Sequence, residues 1–411
     1  MGKSLLIAVP NDTLSSGNET NIFGYNVDSS TEAPTQLSCT EAATFSALGI
    51  RVTAGNSGTL TLRFRDAGAD GNQVVSFAST GSGEDTTNSD VLAASDLFNL
   101  AYTDTGTNST VGWIKGNVEL SSGHGNFHAN ANYSGTVFDA ASATRFIGLG
   151  GLLGIDGETT EDNVEWKTRA YDSFEALQVR VTANARTNNS IFKNRINGGD
   201  GGGSITFAAS ETGLKTVTGL GDAIADGQTI NVSITLDTGL EDLTVVFVGA
   251  TLKSTSSKSD IFCMTEAGLG RASSATPNYE CIGGRLTQGT DETLKRIKVG
   301  FAATVSNLRC YLSLNTSASN ATLKLYQNGS AVLTTTITAS GGAGWYENTS
   351  NTITIDADDE LSFEFDEGGA SGSITIRSVG ITFAPVAGPS AEGVLYGPRN
   401  YTDGLTSFWS R

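Results

Sequence analysis

Proline is scarce in this chain of 411 residues, with 6 prolines beside 50 glycines, and histidine is scarcer still, with 2 residues. Because the only histidines are His124 and His128, a Ser-His-Asp triad or a histidine-based zinc site has almost no candidates. No apolar run approaches the roughly 20 residues that a membrane-spanning helix needs. The run SLLIAV after Lys3 is too short for a secretory signal, so we expect synthesis in the cytosol.

Positive charge is also in short supply. The formal net charge is −18, and the 25 Lys and Arg residues form no cluster in the sequence. An acidic surface repels nucleic-acid phosphates and anionic lipid headgroups. We therefore expect neither nucleic acid nor membrane as a partner. Charged residues make up only 17 % of the chain, below the usual value of about 25 %.

Cysteine is sparse, and none of the four residues belongs to a CxxC pair. No spacing between cysteines recurs along the chain, which argues against a disulfide framework. The four residues are Cys39, Cys263, Cys281 and Cys310. We predict buried free thiols, and a bridge between Cys263 and Cys281 stays open as the alternative.

One phrase occurs three times, about 130 residues apart. FEALQVRVTA begins at Phe174, FSALGIRVTA begins at Phe45, and the degraded copy VSNLRCYLSL begins at Val305. In each copy, apolar residues alternate with polar ones. This period of two predicts a strand with one face in a core and the other face toward solvent.

Further strands and turns recur in the same order after each copy of the phrase, with Gly, Asn and Ser between them. About eight short strands in each ~130 residues favour a jelly-roll β-sandwich. The predicted fold is all-β, with three tandem antiparallel β-sandwich repeats and an extended C-terminal tail. The predicted boundaries are 1–121, 122–254, 255–385 and 386–411.

The tail has no apolar period and cannot form its own core. It does carry apolar residues that could anchor it on this chain or on a neighbour. We predict that this docking surface consists of Leu395, Tyr396, Phe408 and Trp409.

The search for chemistry returns no catalytic constellation and no cofactor motif, so we expect a protein that is not an enzyme. The acidic run at Asp356–Glu360 reads as a turn before a strand. Asp66, Asp70 and Asn72 resemble half of a calcium loop, but the repeats place a hairpin turn there. Trp345 and Tyr346 have no counterpart in the other repeats and are candidates for stacking on a glycan.

The whole chain, with its jelly-roll repeats, its Gly/Ser/Thr/Asn-rich loops and its cytosolic start, resembles virion proteins of tailed bacteriophages of the decoration (cement) and head-fibre type. The resemblance implies a non-enzymatic structural protein on the exterior of a particle, bound to the major capsid protein or to neighbouring copies. It implies synthesis in the host cytoplasm. The alternative is a fibre or adhesin that binds a receptor or a host-surface glycan.

Overall fold

Strands form nearly all the regular structure of the chain. The computed structural model describes residues 3–8, 12–14, 20–22, 36–55, 57–121, 125–139, 142–149, 157–239, 241–256, 258–272, 277–282, 284–285, 290–369, 371–385 and 392–396. Within these ranges the only helical pieces are two 3-10 turns, Glu161–Val164 and Glu292–Leu294. None of the described segments is a helix long and apolar enough to cross a bilayer. The all-β prediction is confirmed.

The strands are named here in chain order. Repeat 1 contains β1 (Lys3–Ala8), β2 (Asp12–Leu14), β3 (Thr20–Ile22), β4 (Leu37–Ser38), β5 (Ala43–Ala54), β6 (Leu60–Asp66), β7 (Ala69–Phe77), β8 (Gly81–Leu92), β9 (Leu97–Asp104) and β10 (Ser109–Leu120). Repeat 2 contains β11 (Gly125–Phe138), β12 (Thr144–Ile147), β13 (Trp166–Lys167), β14 (Ser173–Asn184), β15 (Ser190–Ile196), β16 (Gly199–Phe207), β17 (Gly213–Ala223), β18 (Thr229–Thr235) and β19 (Leu243–Lys253). Repeat 3 contains β20 (Ser259–Ala272), β21 (Asn278–Cys281), β22 (Gly284–Arg285), β23 (Ile297–Lys298), β24 (Ala303–Asn315), β25 (Ala321–Gln327), β26 (Ser330–Ile337), β27 (Gly344–Ile355), β28 (Glu360–Asp366) and β29 (Ser373–Pro385), and β30 (Glu392–Tyr396) follows it.

Each repeat contributes four main strands to each of two sheets, which we name sheet I and sheet II, and within the described residues short strands or the tail strand extend five of the six sheets. Sheet I has the order β1-β10-β5-β8 in repeat 1, β11-β19-β14-β17 in repeat 2 and β20-β29-β24-β27 in repeat 3. Sheet II has the order β3-β9-β6-β7, β12-β18-β15-β16 and β21-β28-β25-β26. If these eight strands are counted in chain order, sheet I has the order 1-8-3-6 and sheet II has the order 2-7-4-5, with all neighbours antiparallel. This is the double-Greek-key topology of a jelly roll. The jelly-roll prediction is thus confirmed by the sheet orders.

The recurring phrase forms β5, β14 and β24, the third strand of sheet I in the three repeats. Leu177, Val179 and Val181 are at most 1 % exposed, in line with an inward-facing set. The other face was expected to meet solvent, and that expectation is wrong for Gln178 and Arg309, which are both 0 % exposed. These two side chains are polar but buried because the outer face of sheet I is covered by another repeat, as described below.

The sixth strand of each jelly roll, at the edge of sheet I, carries the same irregularity. Between the pairs Ser46↔Ser89 and Leu48↔Asp85, three residues of β8 lie opposite the single residue Ala47 of β5. The edge strands β17 and β27 show the same three-to-one bulge. The partner residues Ala47 and Asn307 have positive φ angles of 55° and 54° at this bulge. Such a bulge interrupts the row of free backbone groups and so protects a long edge strand from pairing with other chains.

Two pairings depart from the antiparallel rule. The tail strand β30 pairs in parallel with β1, in the register Leu6↔Leu395 and Ile7↔Tyr396, and β22 pairs in parallel with β20. Cα atoms of β30 also come within 8 Å of β11 and β20, the first strands of repeats 2 and 3. The tail strand therefore lies where the first strands of all three repeats approach one another.

Candidate functional site at the junctions between the repeats

Each repeat has a short stretch that leaves sheet II and enters sheet I, directly after β4, β13 or β23. We call residues 39–42, 168–172 and 299–302 the junction loops of repeats 1, 2 and 3. In every case the junction loop and its flanking residues meet the outer face of sheet I of another repeat. The contacts are made in the order repeat 1 to repeat 2, repeat 2 to repeat 3, and repeat 3 to repeat 1.

The junction from repeat 2 to repeat 3 is built on a buried carboxylate. Asp260 in β20 is 0 % exposed. Its Oδ2 accepts hydrogen bonds from Thr168 Oγ1 and the Arg169 amide, both at 2.8 Å, and from the Ala170 amide at 3.2 Å. Its Oδ1 accepts one from Thr382 Oγ1 at 2.6 Å. One carboxylate of repeat 3 thus accepts hydrogen bonds from the first three residues of the junction loop of repeat 2.

Arg309 supplies the positive charge that this carboxylate requires. Its Nη2 lies 2.8 Å from Asp260 Oδ1, an ion-pair contact between two groups that are both 0 % exposed. Its Nε donates to the carbonyl oxygen of Lys167 at 2.8 Å, which ties the arginine to repeat 2 as well. The guanidinium stacks on Phe262 at 4.5 Å, and Phe262 stacks on Trp166 of repeat 2 with ring centroids 4.6 Å apart. The charge pair is therefore enclosed by aromatic rings from both repeats.

A second cluster of charges lies beside the first. Glu347 accepts hydrogen bonds from Lys167 and, at 2.7 Å, from Arg169 Nη2. Burial raises the pKa of Glu347, but the hydrogen bonds and charges of Lys167 and Arg169 outweigh it, and the pKa lies below its ordinary value. Arg377 and Glu158 form another pair across the junction at 3.1 Å. Buried and half-buried ion pairs thus join repeats 2 and 3, beside an apolar cluster that is continuous across the junction.

The junction from repeat 3 to repeat 1 uses more exposed charges. Arg51 Nη1 lies 3.6 Å from Glu360 Oε1. A Cβ atom added to Gly300 in the junction loop would stand 3.6 Å from Lys115 Nζ, and Lys115 pairs with Glu84 at 2.7 Å. Asp358 raises the pKa of Lys298, and Glu84 of repeat 1 adds to that effect.

The junction from repeat 1 to repeat 2 is mostly apolar. Val246 and Phe247 of β19 are 3 % and 1 % exposed and belong to the hydrophobic cluster of repeat 1, against which Leu214 of β17 also packs. Thr40 in the junction loop forms a hydrogen bond of 2.5 Å with Thr251. The same elements meet in all three junctions. A head-to-tail contact that returns to its start describes a ring, here with approximate threefold symmetry within one chain.

The two aromatic residues singled out by sequence lie at or beside the junction between repeats 2 and 3. Trp345 packs on Tyr311 with ring centroids 5.4 Å apart, and Lys167 Nζ lies 5.9 Å from its ring. The Tyr346 hydroxyl donates to the Gly342 carbonyl oxygen at 2.9 Å and accepts from Asn315. Both rings therefore have packing roles at or beside the junction between repeats 2 and 3, and glycan stacking stays a prediction.

In the tail, Leu395 and Tyr396 belong to β30, whose backbone pairs with β1 of the same chain. Phe408 and Trp409 lie outside the described residues, as do the side chains of Leu395 and Tyr396. The prediction that these four residues form a docking surface therefore stays a prediction.

Two acidic residues from the segments considered for calcium binding or acid–base chemistry form ion pairs within the chain. The Asp70 carboxylate forms an ion pair with Arg65 and lies 3.7 Å from Arg63 Nε, so arginines of β6 neutralise the carboxylate of the suspected calcium loop. In the acidic run, Asp358 pairs with Lys298 at 2.8 Å. No group of three or more His, Cys, Asp or Glu side chains within the described ranges could hold a metal ion.

Cys39 and Cys310 are free and buried, as predicted, and Cys263 is also buried. The alternative of a bridge between Cys263 and Cys281 stays a prediction. Burial raises the pKa of the Cys39 and Cys310 thiols. The side chain of Cys281 and all of His124 lie outside the described residues.

Sequence reasoning missed the residues that hold the repeats together, namely Asp260, Arg309, Arg169 and Glu347. The sequence offered one signal, on the polar side of the recurring phrase. Gly49, Gln178 and Arg309 occupy the same outward position in the three copies, and only the third copy places a charge there.

No protein-family model matches the chain. No curated protein matches it. Among solved structures it is similar to the insecticidal delta-endotoxin Cry8Ea1 of Bacillus thuringiensis, with 10 % identity, a TM-score of 0.19, and coverage of 62 % of this chain and 61 % of that chain. It is also similar to a protein of infectious bursal disease virus, Gx strain, with 12 % identity, a TM-score of 0.19, and coverage of 89 % and 76 %. The chain spans less than two thirds of Cry8Ea1, and likenesses with TM-scores of this size assign no function.

Removing the arginine of the buried pair should destabilise repeat 3 strongly. In Arg309→Met the methionine keeps most of the apolar stem but leaves the Asp260 carboxylate without its cation, so we expect a loss of about 3–5 kcal/mol in the free energy of unfolding. Lys193→Met is the control, because Lys193 and Asp200 are 37 % and 43 % exposed and such pairs contribute less than about 1 kcal/mol. Equilibrium urea unfolding measures both. Equal effects of the two variants would contradict the structural role of the pair.

Acid should weaken the junction between repeats 2 and 3 through Glu347. Its pKa is depressed from 4.5 in the folded chain, so its contribution is present above 4.5 and is lost as the pH falls through the folded value. Wild type should therefore be more stable than Glu347→Gln near neutral pH, and the difference should shrink below pH 4.5. Asp226→Asn is the control, because Asp226 binds the same Arg169 but is 72 % exposed. A gap that stays constant with pH would contradict this origin.

Proposed function

We propose that this chain is a non-enzymatic structural protein of a virus particle, a decoration or cement protein on the outside of a bacteriophage capsid. The observation that supports the proposal is the closed head-to-tail ring of three jelly rolls within one chain. Such a ring presents three similar faces around an approximate threefold axis. Icosahedral shells offer true and local threefold positions that a molecule of this shape would match.

Covalent linkage gives the ring an advantage over three separate domains. Once one face has bound, the other two are held near their own sites at a high effective concentration, so three weak contacts act as one strong contact. The buried charges are engaged in holding the repeats together, which suits a molecule whose task is to keep its shape. The net charge of −18 favours solubility before assembly.

The partners in this proposal are the major capsid protein and neighbouring copies. The outer surfaces of the three repeats would provide the repeated contacts. The tail from 386 to 411 would add a contact that occurs once per ring, with Phe408 and Trp409 as anchors. A fibre or adhesin that binds a host-surface glycan is the alternative, and the location on the particle separates the two.

Particles from a culture that carries the gene provide the test. Antibodies against the recombinant chain should label the head exterior in immunogold electron microscopy. Particles from a gene-deleted culture should lose their DNA at a lower temperature, and adding the purified chain should restore the wild-type value. Label confined to a tail fibre or to the cell surface would support the adhesin instead, and unlabelled particles would contradict the proposal.

The same particles test the tail. A chain that ends at Pro385 should keep a β-rich circular dichroism spectrum and a cooperative thermal transition, yet bind gene-deleted particles about 100-fold more weakly than the full chain. A variant with Phe408→Ala and Trp409→Ala is the milder companion. Equal binding by the full chain and both variants would contradict a role of the tail in assembly, and the binding surface would then consist of the outer faces of the ring.

A further inference from the structure

Two polar side chains in the junction between repeats 1 and 2 lack a partner. Gln178 is 0 % exposed, and neither its Nε2 nor its Oε1 is hydrogen-bonded to any described residue. The Nη1 of Arg180 is likewise buried and has no hydrogen-bond partner among the described residues. Residues two apart on a strand project from the same face, so both side chains leave the outer face of sheet I toward repeat 1.

The surroundings of Arg180 are apolar. In the strand register it lies between Leu214 of β17 and Phe247 of β19, and both of these residues pack against the hydrophobic cluster of repeat 1. Burial alone lowers the pKa of the Arg180 guanidinium, with no acidic side chain opposing the effect. A buried donor without an acceptor is costly, and a buried cation without an anion more so.

The equivalent positions in the other repeats supply the missing acids. In the pairing of first and eighth strands, Asp260 lies opposite Thr382, and the matching residue opposite Thr251 is Phe127. In the pairing of third and sixth strands, Glu347 lies opposite Arg309 and Glu84 lies opposite Gly49, but Thr216 lies opposite Gln178. The junction between repeats 1 and 2 has no carboxylate at either position. Gln178 stands where repeat 3 has Arg309, and the guanidinium is supplied by Arg180, two residues further along the same strand.

We propose that Arg180 and Gln178 form a binding site for a carboxylate anion, which takes the place that Asp260 and Glu347 hold in the junction between repeats 2 and 3. A carboxylate accepts paired hydrogen bonds from a guanidinium, and the Gln178 amide adds a further donor. Thr216 beside the site is exposed and Arg180 is only partly buried, so a small ligand has a route from solvent.

Acetate is the probe, and Arg51 offers a matched control. Arg51 occupies the same position of the repeated phrase in repeat 1, but it already has Glu360 3.6 Å away. Acetate, titrated against chloride at constant ionic strength, should raise the melting temperature of the full wild-type chain in a saturable manner, by roughly 1–3 °C. Arg51→Met should keep this response, and Arg180→Met should lose it. Without acetate, Arg180→Met should melt no lower than wild type, because it removes a partly buried charge whose Nη1 has no hydrogen-bond partner.

Two further measurements complete the test. Gln178→Leu should weaken acetate binding in isothermal titration by about tenfold, the loss of roughly one hydrogen bond to a charged group. The proposal is overturned if acetate and chloride act alike, or if Arg180→Met and Arg51→Met respond equally to acetate. It is also overturned if Arg180→Met melts well below wild type in chloride, because Arg180 would then already have its anion within the chain.

Discussion

A charge that is removed from water must be paired, and two such charges lie buried on the outer face of sheet I in repeat 3. Asp260 and Arg309 are both 0 % exposed, and each also bonds to repeat 2, through Thr168 and the Lys167 carbonyl oxygen. Neither group could be satisfied in this way if repeat 3 stood alone, because repeat 2 supplies three hydrogen-bond donors to Asp260 and one acceptor to Arg309. The pair therefore fixes the position of one jelly roll against the next, and a head-to-tail contact of this geometry, made three times, closes a ring.

The three junctions use the same elements but different chemistry. The first is apolar with Phe247 at its centre, the second is a buried ion pair, and the third consists of partly exposed charges such as Arg51 and Glu360. Placing the buried ion pair against the apolar face would leave charge unpaired and buried, so the faces are not interchangeable without a free-energy cost. The differences between the repeats thus make the three junctions chemically distinct. They also leave Arg180 without the carboxylate that Arg51, its counterpart in repeat 1, has in Glu360.

The fold was predictable from sequence because alternation and turn residues report local structure and burial. Leu177, Val179 and Val181 lie in the core, as the period-two pattern indicated. The junctions were not predictable in the same way, since the pattern that marks a residue as polar does not reveal whether solvent or another repeat covers it. Arg309 looks like a surface residue in the sequence and becomes the centre of an interface only when Asp260, Phe262 and Lys167 arrive from distant segments. The parallel pairing of β30 with β1 likewise joins the two ends of the chain, and no local signal specifies it.

The three jelly rolls form one closed body, in contrast to an extended row of separate domains. Small-angle X-ray scattering of the full chain in solution tests this most directly, because the two arrangements differ in overall dimension and not in secondary structure. A closed ring should give a radius of gyration close to the value of about 22 Å expected for a compact chain of this length, with a single-peaked distance distribution. A radius of roughly 30 Å or more, with separate peaks for neighbouring and distant repeats, would contradict the ring.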